Sequence, residues 1–548
     1  MTPSVQSLQF FEVKMEILAN IRMKRFLLSL TLAFLSVFPS FSLDRVHFDQ
    51  LNQKARELRK HQDWKALREV LIEIGRELPG PTPPYMLRMA LVEMHLDHKT
   101  EALQWLQKFA GTGLAYDVAG DNDLKSLASE PGFQKIADEM KLRTRPIQNA
   151  EAACTLPMPD LMPEDIAFDK LSSTFVVSSI QHHTLYRVFL PQKSGRDCAL
   201  KEIPVNESAK RWPTLAVSMD QRRHRLWFTA SAMPDFTSFP KEDEGKASLF
   251  AMDGTSGNIL QRFDLAEGHP TVMGDMSVAQ DGTVYVSDSV GGGVYRVQGD
   301  LKTAKLEKIG SDFFSPQTPV LAKDGKRVFV ADYPIGIGIV RRSGNQPGKL
   351  EYLPHPENIA VTGLDGLLLD GHSLIGIQNG TQPARIMRFR LNATQTEIIS
   401  AEIIEQATER LGDPTHAAAA NGMIYVSANT GWSKVDDHGN LKQDEHFTAP
   451  VLLRFPAEAP VPRKRGARAN RGGLTATNLP KAERRRTTIL ALLDEQNRDI
   501  KELRVSRNMN FPGKNMRVGV ENHWLQSGES LENISGFFEA IRHVRRTN

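Results

Sequence analysis

Only two cysteines, Cys154 and Cys198, occur in the 548 residues. That excludes a scaffold built from many disulfides, and any cysteine-rich zinc or iron–sulfur centre. Charge of one sign is lacking as well. There are 68 basic and 65 acidic residues, a net of +3, which leaves no general case for nucleic-acid binding. No apolar run reaches the ~20 residues that a membrane-spanning helix needs. Nucleophile-elbow, Walker-loop and zinc-helix motifs are absent from the sequence. What remains is an ordinary globular composition, 40% hydrophobic and 24% charged, which rules out a wholly disordered or collagen-like chain. The length exceeds one compact core and implies two to four units, at roughly 100–200 residues each.

The N-terminal region reads as an address. Met23-Lys24-Arg25-Phe26 is basic, Leu27 to Phe38 is apolar, and Ser40-Phe41-Ser42 supplies small residues on either side of a phenylalanine. This is the layout of a secretory signal cleaved after Ser42, with Met23 as the start and residues 1–22 upstream of it. The competing readings are a membrane anchor and a buried helix. An exported protein, periplasmic or secreted, sits where disulfides persist. Cys154 and Cys198 then form either a bridge or two buried thiols.

Residues 43–145 read as a small all-α module. Leu51, Ala55, Leu58 and then Trp64, Leu67, Val70, Leu71, Ile74 recur at helical spacing. Pro79-Gly80-Pro81 interrupts them. Tyr85 to Met94 and Ala102 to Phe109 resume the pattern. Two hairpins with a small Ala102 at the crossing resemble a tetratricopeptide-type array, which implies a protein-contact surface. The plainer alternative is a helical cap on the next domain, because so short an array falls below the three or so repeats normally needed for independent stability.

From residue 155 to 456 the period becomes two. One phrase, a short strand, a tight turn and a β-branched or aromatic strand, recurs six times. It starts at Asp165, Leu215, Asp275, Pro319, Gly366 and His416, 44–60 residues apart. Six such units predict a six-bladed β-propeller, closed by Val451 to Phe455. Asp281-Gly282, Asp324-Gly325 and Asn421-Gly422 are tight-hairpin turns. The fold class expected is thus multidomain, a small helical-repeat module followed by an all-β six-bladed propeller. Residues 457–548 are basic, with Arg463-Lys464-Arg465 and Arg484-Arg485-Arg486, and read as linker and tail.

Pro163 to Asp169, Phe175 to Ser179, Leu185 to Val188, Gly282 to Ser289, Ser315-Pro316-Gln317, Val330 to Tyr333, Leu364 to Leu367 and Ile377 to Gly380 resemble phrases of the gluconolactonase/regucalcin-like propellers, and in part those of NHL-type propellers. The resemblance implies one divalent cation, often calcium, in the central channel. It places ligands at Glu164, Gln317 and Asp365, with Asp365 also the catalytic base and Asp275 a substrate contact. Gln317 stands where the family has asparagine, one methylene longer, which would shift the ion. Asp413, His416 and His269 are further residues that could face the channel. Three functions follow: a propeller that binds a small ligand or partner without chemistry, a metal-dependent hydrolase of sugar lactones or related esters, and an envelope scaffold whose helical module contacts a protein. None involves nucleic acid or a transmembrane helix.

If the signal is read correctly, mass spectrometry of the protein from its native host will show Leu43 as the first residue. An intact Met23 start in the cytosolic fraction would contradict it.

Overall fold

The computed structural model describes residues 44–205, 209–234, 236–342 and 350–458. The leader segment and the basic tail beyond Glu458 lie outside the described residues. No described helix is long and apolar enough to cross a membrane.

The helical part holds five α-helices: α1 (Arg45–Lys60), α2 (Trp64–Glu77), α3 (Pro83–His95), α4 (Lys99–Gly111) and α5 (Phe133–Leu142). Their starts are set by side chains that accept otherwise unpaired backbone N–H groups. Asp44 caps His47, Asp63 caps Ala66, and Thr82 caps Tyr85 ahead of the proline that opens α3. The apolar stripes close on one another through Leu51, Ala55, Leu71, Ile74, Met89 and Val92, and through Met86, Ala102, Leu106 and Phe109.

These helices also close on the strands that follow. Ile335 belongs to the first of those clusters and Ala360 to the second. The Phe48 and Phe314 rings meet edge to face at 4.9 Å. Arg385, fully buried, donates to Gln378 Oε1 at 2.7 Å and to the Gly113 carbonyl, just past the end of α4, at 3.2 Å. A helix C-terminus carries partial negative charge, which suits a cation buried there. Burial, with Arg143 nearby, brings its pKa down to about 10.

Six sheets follow, each led by an inner strand and antiparallel except where Arg196–Asp197 runs parallel to Glu151–Thr155. In blades one to six these are Ile166–Asp169, Thr214–Asp220, Met273–Val278, Pro316–Leu321, Leu364–Asp370 and Ala417–Ala420. Each inner strand packs against those of the neighbouring blades, so the ring is closed. Asn421 and Gly422, at φ 51° and 76°, make the tight hairpin that their sequence implied.

Blade six is composite. Val451–Pro456 is its third strand, and the fourth is Glu151–Thr155, from the start of the propeller, with Ala152 opposite Leu453. Ile147–Gln148 likewise joins the edge of blade five. Strands on the N-terminal side of residue 155 therefore complete the ring. Cys154 on the closing strand is bonded to Cys198 at the outer edge of blade one, so the bridge staples blade six to blade one.

The bridge closes a 44-residue separation, which in the chain-entropy account contributes about 4 kcal/mol. Cys154→Ala with Cys198→Ala should lower the thermal midpoint by several degrees. Calorimetry showing no change would mean that strand pairing alone holds the seam.

Candidate axial metal centre

Four inner strands carry a register break near their start, between Thr214 and Val217, Met273 and Met276, Pro316 and Pro319, and Leu364 and Leu367. A bulge bends a strand and re-aims side chains. Each one leaves two residues out of register: Leu215-Ala216, Gly274-Asp275, Gln317-Thr318 and Asp365-Gly366. In blades one and six the same place is held by Glu164-Asp165 and Thr415-His416, just before the inner strand. Gly366 is needed there, because a Cβ would lie 2.4 Å from the Thr415 carbonyl oxygen.

The result is a ring of acids around one imidazole. Glu164 is 7% exposed, Asp365 8%, Asp275 1% and His416 2%. Ligand atoms of Glu164, Asp365 and His416 lie within 4.8 Å of one another. His416 Nδ1 is 2.9 Å from the Glu164 carbonyl oxygen. A carbonyl only accepts, so Nδ1 carries the hydrogen. Nε2 lies 2.9 Å from Asp275 Oδ1, across the axis from blade six to blade three, but without hydrogen-bond alignment, and both atoms lack a hydrogen-bond partner. Asp275 Oδ2 accepts from Thr318 at 3.2 Å, and the same hydroxyl reaches the Asp365 carbonyl at 3.1 Å. Asn379 Nδ2 donates to Asp365 Oδ2 at 2.5 Å, and its Oδ1 accepts from the Tyr333 hydroxyl at 3.0 Å. Trp432 Nε1 donates to Glu164 Oε2. Asp165 accepts from the Ile166 and Val217 amides at 2.7 and 2.8 Å.

Water exclusion dominates the electrostatics. Burial pushes the Glu164 carboxyl well above its usual range, and Asp365 adds to the effect. Burial raises Asp365 to about 7; His416 opposes the rise and Asp275 assists it. Asp165 rises to about 6, again through burial. For His416 burial opposes the charged form, but Asp275, Asp165 and Asp365 outweigh it and hold the pKa well above the ordinary value.

Of the residues named from sequence, Glu164 and Asp365 meet, and Asp275 meets His416. Gln317 turns its amide nitrogen to Ser315 Oγ, at 2.9 Å. Asp413 accepts from Gly431 and Ser433 amides and so holds a loop. His269 is exposed, with Nδ1 2.9 Å from the Pro270 carbonyl oxygen. The sequence reading named His416 among the residues that could face the channel but gave it no ligand role. Its signal was its place ahead of the sixth phrase, where Asp165 and Asp275 stand in the first and third. Trp432, Tyr333 and Asn379 had no such signal, since they come from loops.

The donors fit a small divalent ion. Two carboxylates converge with an imidazole whose Nδ1–H is already anchored, and Nε2 would become a ligand once a cation displaces the proton that the surrounding acids favour there. The unpartnered Nε2 and Asp275 Oδ1 are polar atoms that a cation would satisfy.

The chain matches no family model and no curated protein. Among solved structures it is similar to a gluconolactonase from Xanthomonas campestris, at 13% identity over 56% of this chain and 88% of that one, TM-score 0.36. It is similar to the calcium-binding protein regucalcin from Agrobacterium tumefaciens, at 17% over 55% and 91%, TM-score 0.37. A third is the PQQ-bound aldose sugar dehydrogenase from Streptomyces coelicolor, at 12% over 57% and 99%, TM-score 0.36. Likeness at this level carries no residue roles.

A carboxyl whose folded pKa lies above its unfolded value favours folding while protonated and loses that benefit as pH rises. For Asp165 and Asp365 the loss runs from about 4, the unfolded value, through about 6 and 7. Chelator-treated protein should therefore lose stability between pH 5 and 8 in denaturant titrations, and Asp365→Asn should flatten the slope. An unchanged slope in that variant would remove Asp365 as its source.

Proposed function

We propose that the propeller axis holds a divalent cation on Glu164, Asp365 and His416 and presents it to an oxygen-bearing small ligand, with hydrolysis of a lactone or related ester as the reaction it suits. The observation that carries this reading is the convergence of those three residues beside the unpartnered His416 Nε2. The mixed oxygen and nitrogen donors favour Mn²⁺ or Zn²⁺ over calcium, which prefers six or more oxygens. Bound there, the ion would polarise an ester carbonyl and lower the pKa of a coordinated water.

The chain's own residues have separable tasks in this scheme. The Glu164 carbonyl orients His416, and Asp275 faces the Nε2 that would hold the ion. Asn379 fixes one oxygen of Asp365, leaving the other to take a proton. A second reading, cation binding without chemistry, is favoured by the low exposure of Glu164 and Asp365 and by Trp432 lying on Glu164. Export fits both, since the Cys154–Cys198 bridge belongs in an oxidising compartment. We read the helical module as a cap on the propeller, which the burial of Ile335 and Ala360 among its side chains supports.

A ligand bound only by the folded state, at a hundredfold over its Kd, stabilises by about 2.7 kcal/mol. Mn²⁺ or Zn²⁺ added to chelator-treated protein should raise the melting temperature by several degrees. Calcium should do less. Glu164→Gln and Asp365→Asn should abolish the shift, and lactone hydrolysis should vanish with it. A metal-induced shift without hydrolysis selects the binding reading; a shift that survives both substitutions places the ion elsewhere.

A further inference from the structure

In four blades the link between the second and third strands is a short turn, residues 180–183, 289–292, 333–335 and 379–384, and in blade two it is residues 232–246. In blade six it is residues 429–450. Loops this long are uncommon in compact domains and are usually functional. This one lies over the axial cluster. Trp432 donates to the Glu164 carboxylate. Val435, Trp432 and Phe447 pack on Met162, Ile180, Leu215, Met233 and Val272, contributed by blades one to three. Discrete polar contacts hold it: the Gly431 and Ser433 amides donate to Asp413, Lys434 pairs with Glu445 inside the loop, Thr237 N donates to the His438 carbonyl at 3.2 Å, and Gln181 Nε2 to the Gly439 carbonyl at 3.3 Å.

The surface under the loop is chemically divided. Glu164 and Asp365 are ionisable, while beside them Met162, Ile180, Leu215, Met233 and Val272 form an apolar shelf with no hydrogen-bonding side chain among the five. A polyhydroxylated sugar would leave hydroxyls unpaired against that shelf, which is costly. An alkyl chain would gain from each methylene buried.

We propose that residues 429–450 are a lid latched by Trp432 on Glu164, and that lifting it admits a lactone or ester with an alkyl tail, the oxygen-bearing head at the acidic cluster and the tail on the Met162–Leu215–Met233 shelf. The head placement rests on the axial-cation reading; the lid and the shelf do not.

The test uses the full chain loaded with Mn²⁺. Hydrogen exchange should show the amides of 431–447 opening faster than those of Met423–Ala428. Trp432→Phe keeps the ring but loses the donor, so it should speed loop exchange about tenfold or more, the worth of a hydrogen bond to a charged group. γ-Decalactone should bind at least about tenfold more tightly than glucono-δ-lactone by calorimetry, and Met233→Gln should erase most of that preference. Loop exchange that occurs only with the Met423–Ala428 strand overturns the lid. Equal affinity for the two lactones, or a preference that survives Met233→Gln, overturns the alkyl ligand. If Asp365→Asn abolishes Mn²⁺ binding but leaves decalactone affinity intact, the shelf stands and the cation reading of the head falls.

Discussion

Four carboxylates and one imidazole share a space from which water is nearly excluded, and much else in the molecule answers to that constraint. Such a group cannot carry all its charges without a proton, a cation or a dense set of donors. Each means is visible. Asp165 takes two backbone amides, Asp365 takes Asn379, Glu164 takes Trp432, and His416 spans the axis to Asp275. A cation would replace repulsion among the acids with attraction.

The ring itself has a single seam. A circle of sheets made from one chain must join its last blade to its first. Here that is done by backbone pairing, Glu151–Thr155 against Val451–Pro456, with a covalent tie alongside. The helices lean on the loops of blades three to five, through Phe314, Ile335 and Ala360. The long loop of blade six covers blades one to three. Both contribute to shielding the axial face, and their unlike construction suits unlike roles. The helices are held by a broad apolar contact and a buried arginine. The loop is held by one apolar shelf and by discrete polar contacts, to Asp413 and Glu164 among them, and it is the loop proposed to open.

Most of the blade pattern could be read from the chain. The second strands, Phe175 to Ser179 or Val284 to Asp288, are β-branched or aromatic and buried on both faces, so their hydrophobic runs and the turns before them recur visibly. Glu164, Asp275 and Asp365 were singled out by the resemblance to gluconolactonase/regucalcin-like phrases, not by the period. The reading gave His416 a place facing the channel but no ligand role, because a histidine alone carries no period and Asp275 stands on the opposite blade. It placed the ring closure on Val451 to Phe455, because the closing strand lies some 300 residues away, ahead of the first repeat.

By itself the sequence determined the helical module, the six repeats and the acids that begin them, because helix and strand periods and tight-turn chemistry are local properties of neighbouring residues. Tertiary structure alone decided that Cys154 meets Cys198, that Gln317 turns to Ser315, that His416 reaches across the axis, and that Trp432 covers Glu164. Those contacts join residues far apart in the chain. They are fixed by how blades pack around an axis and how bulges aim their side chains, and short-range patterns hold no record of either.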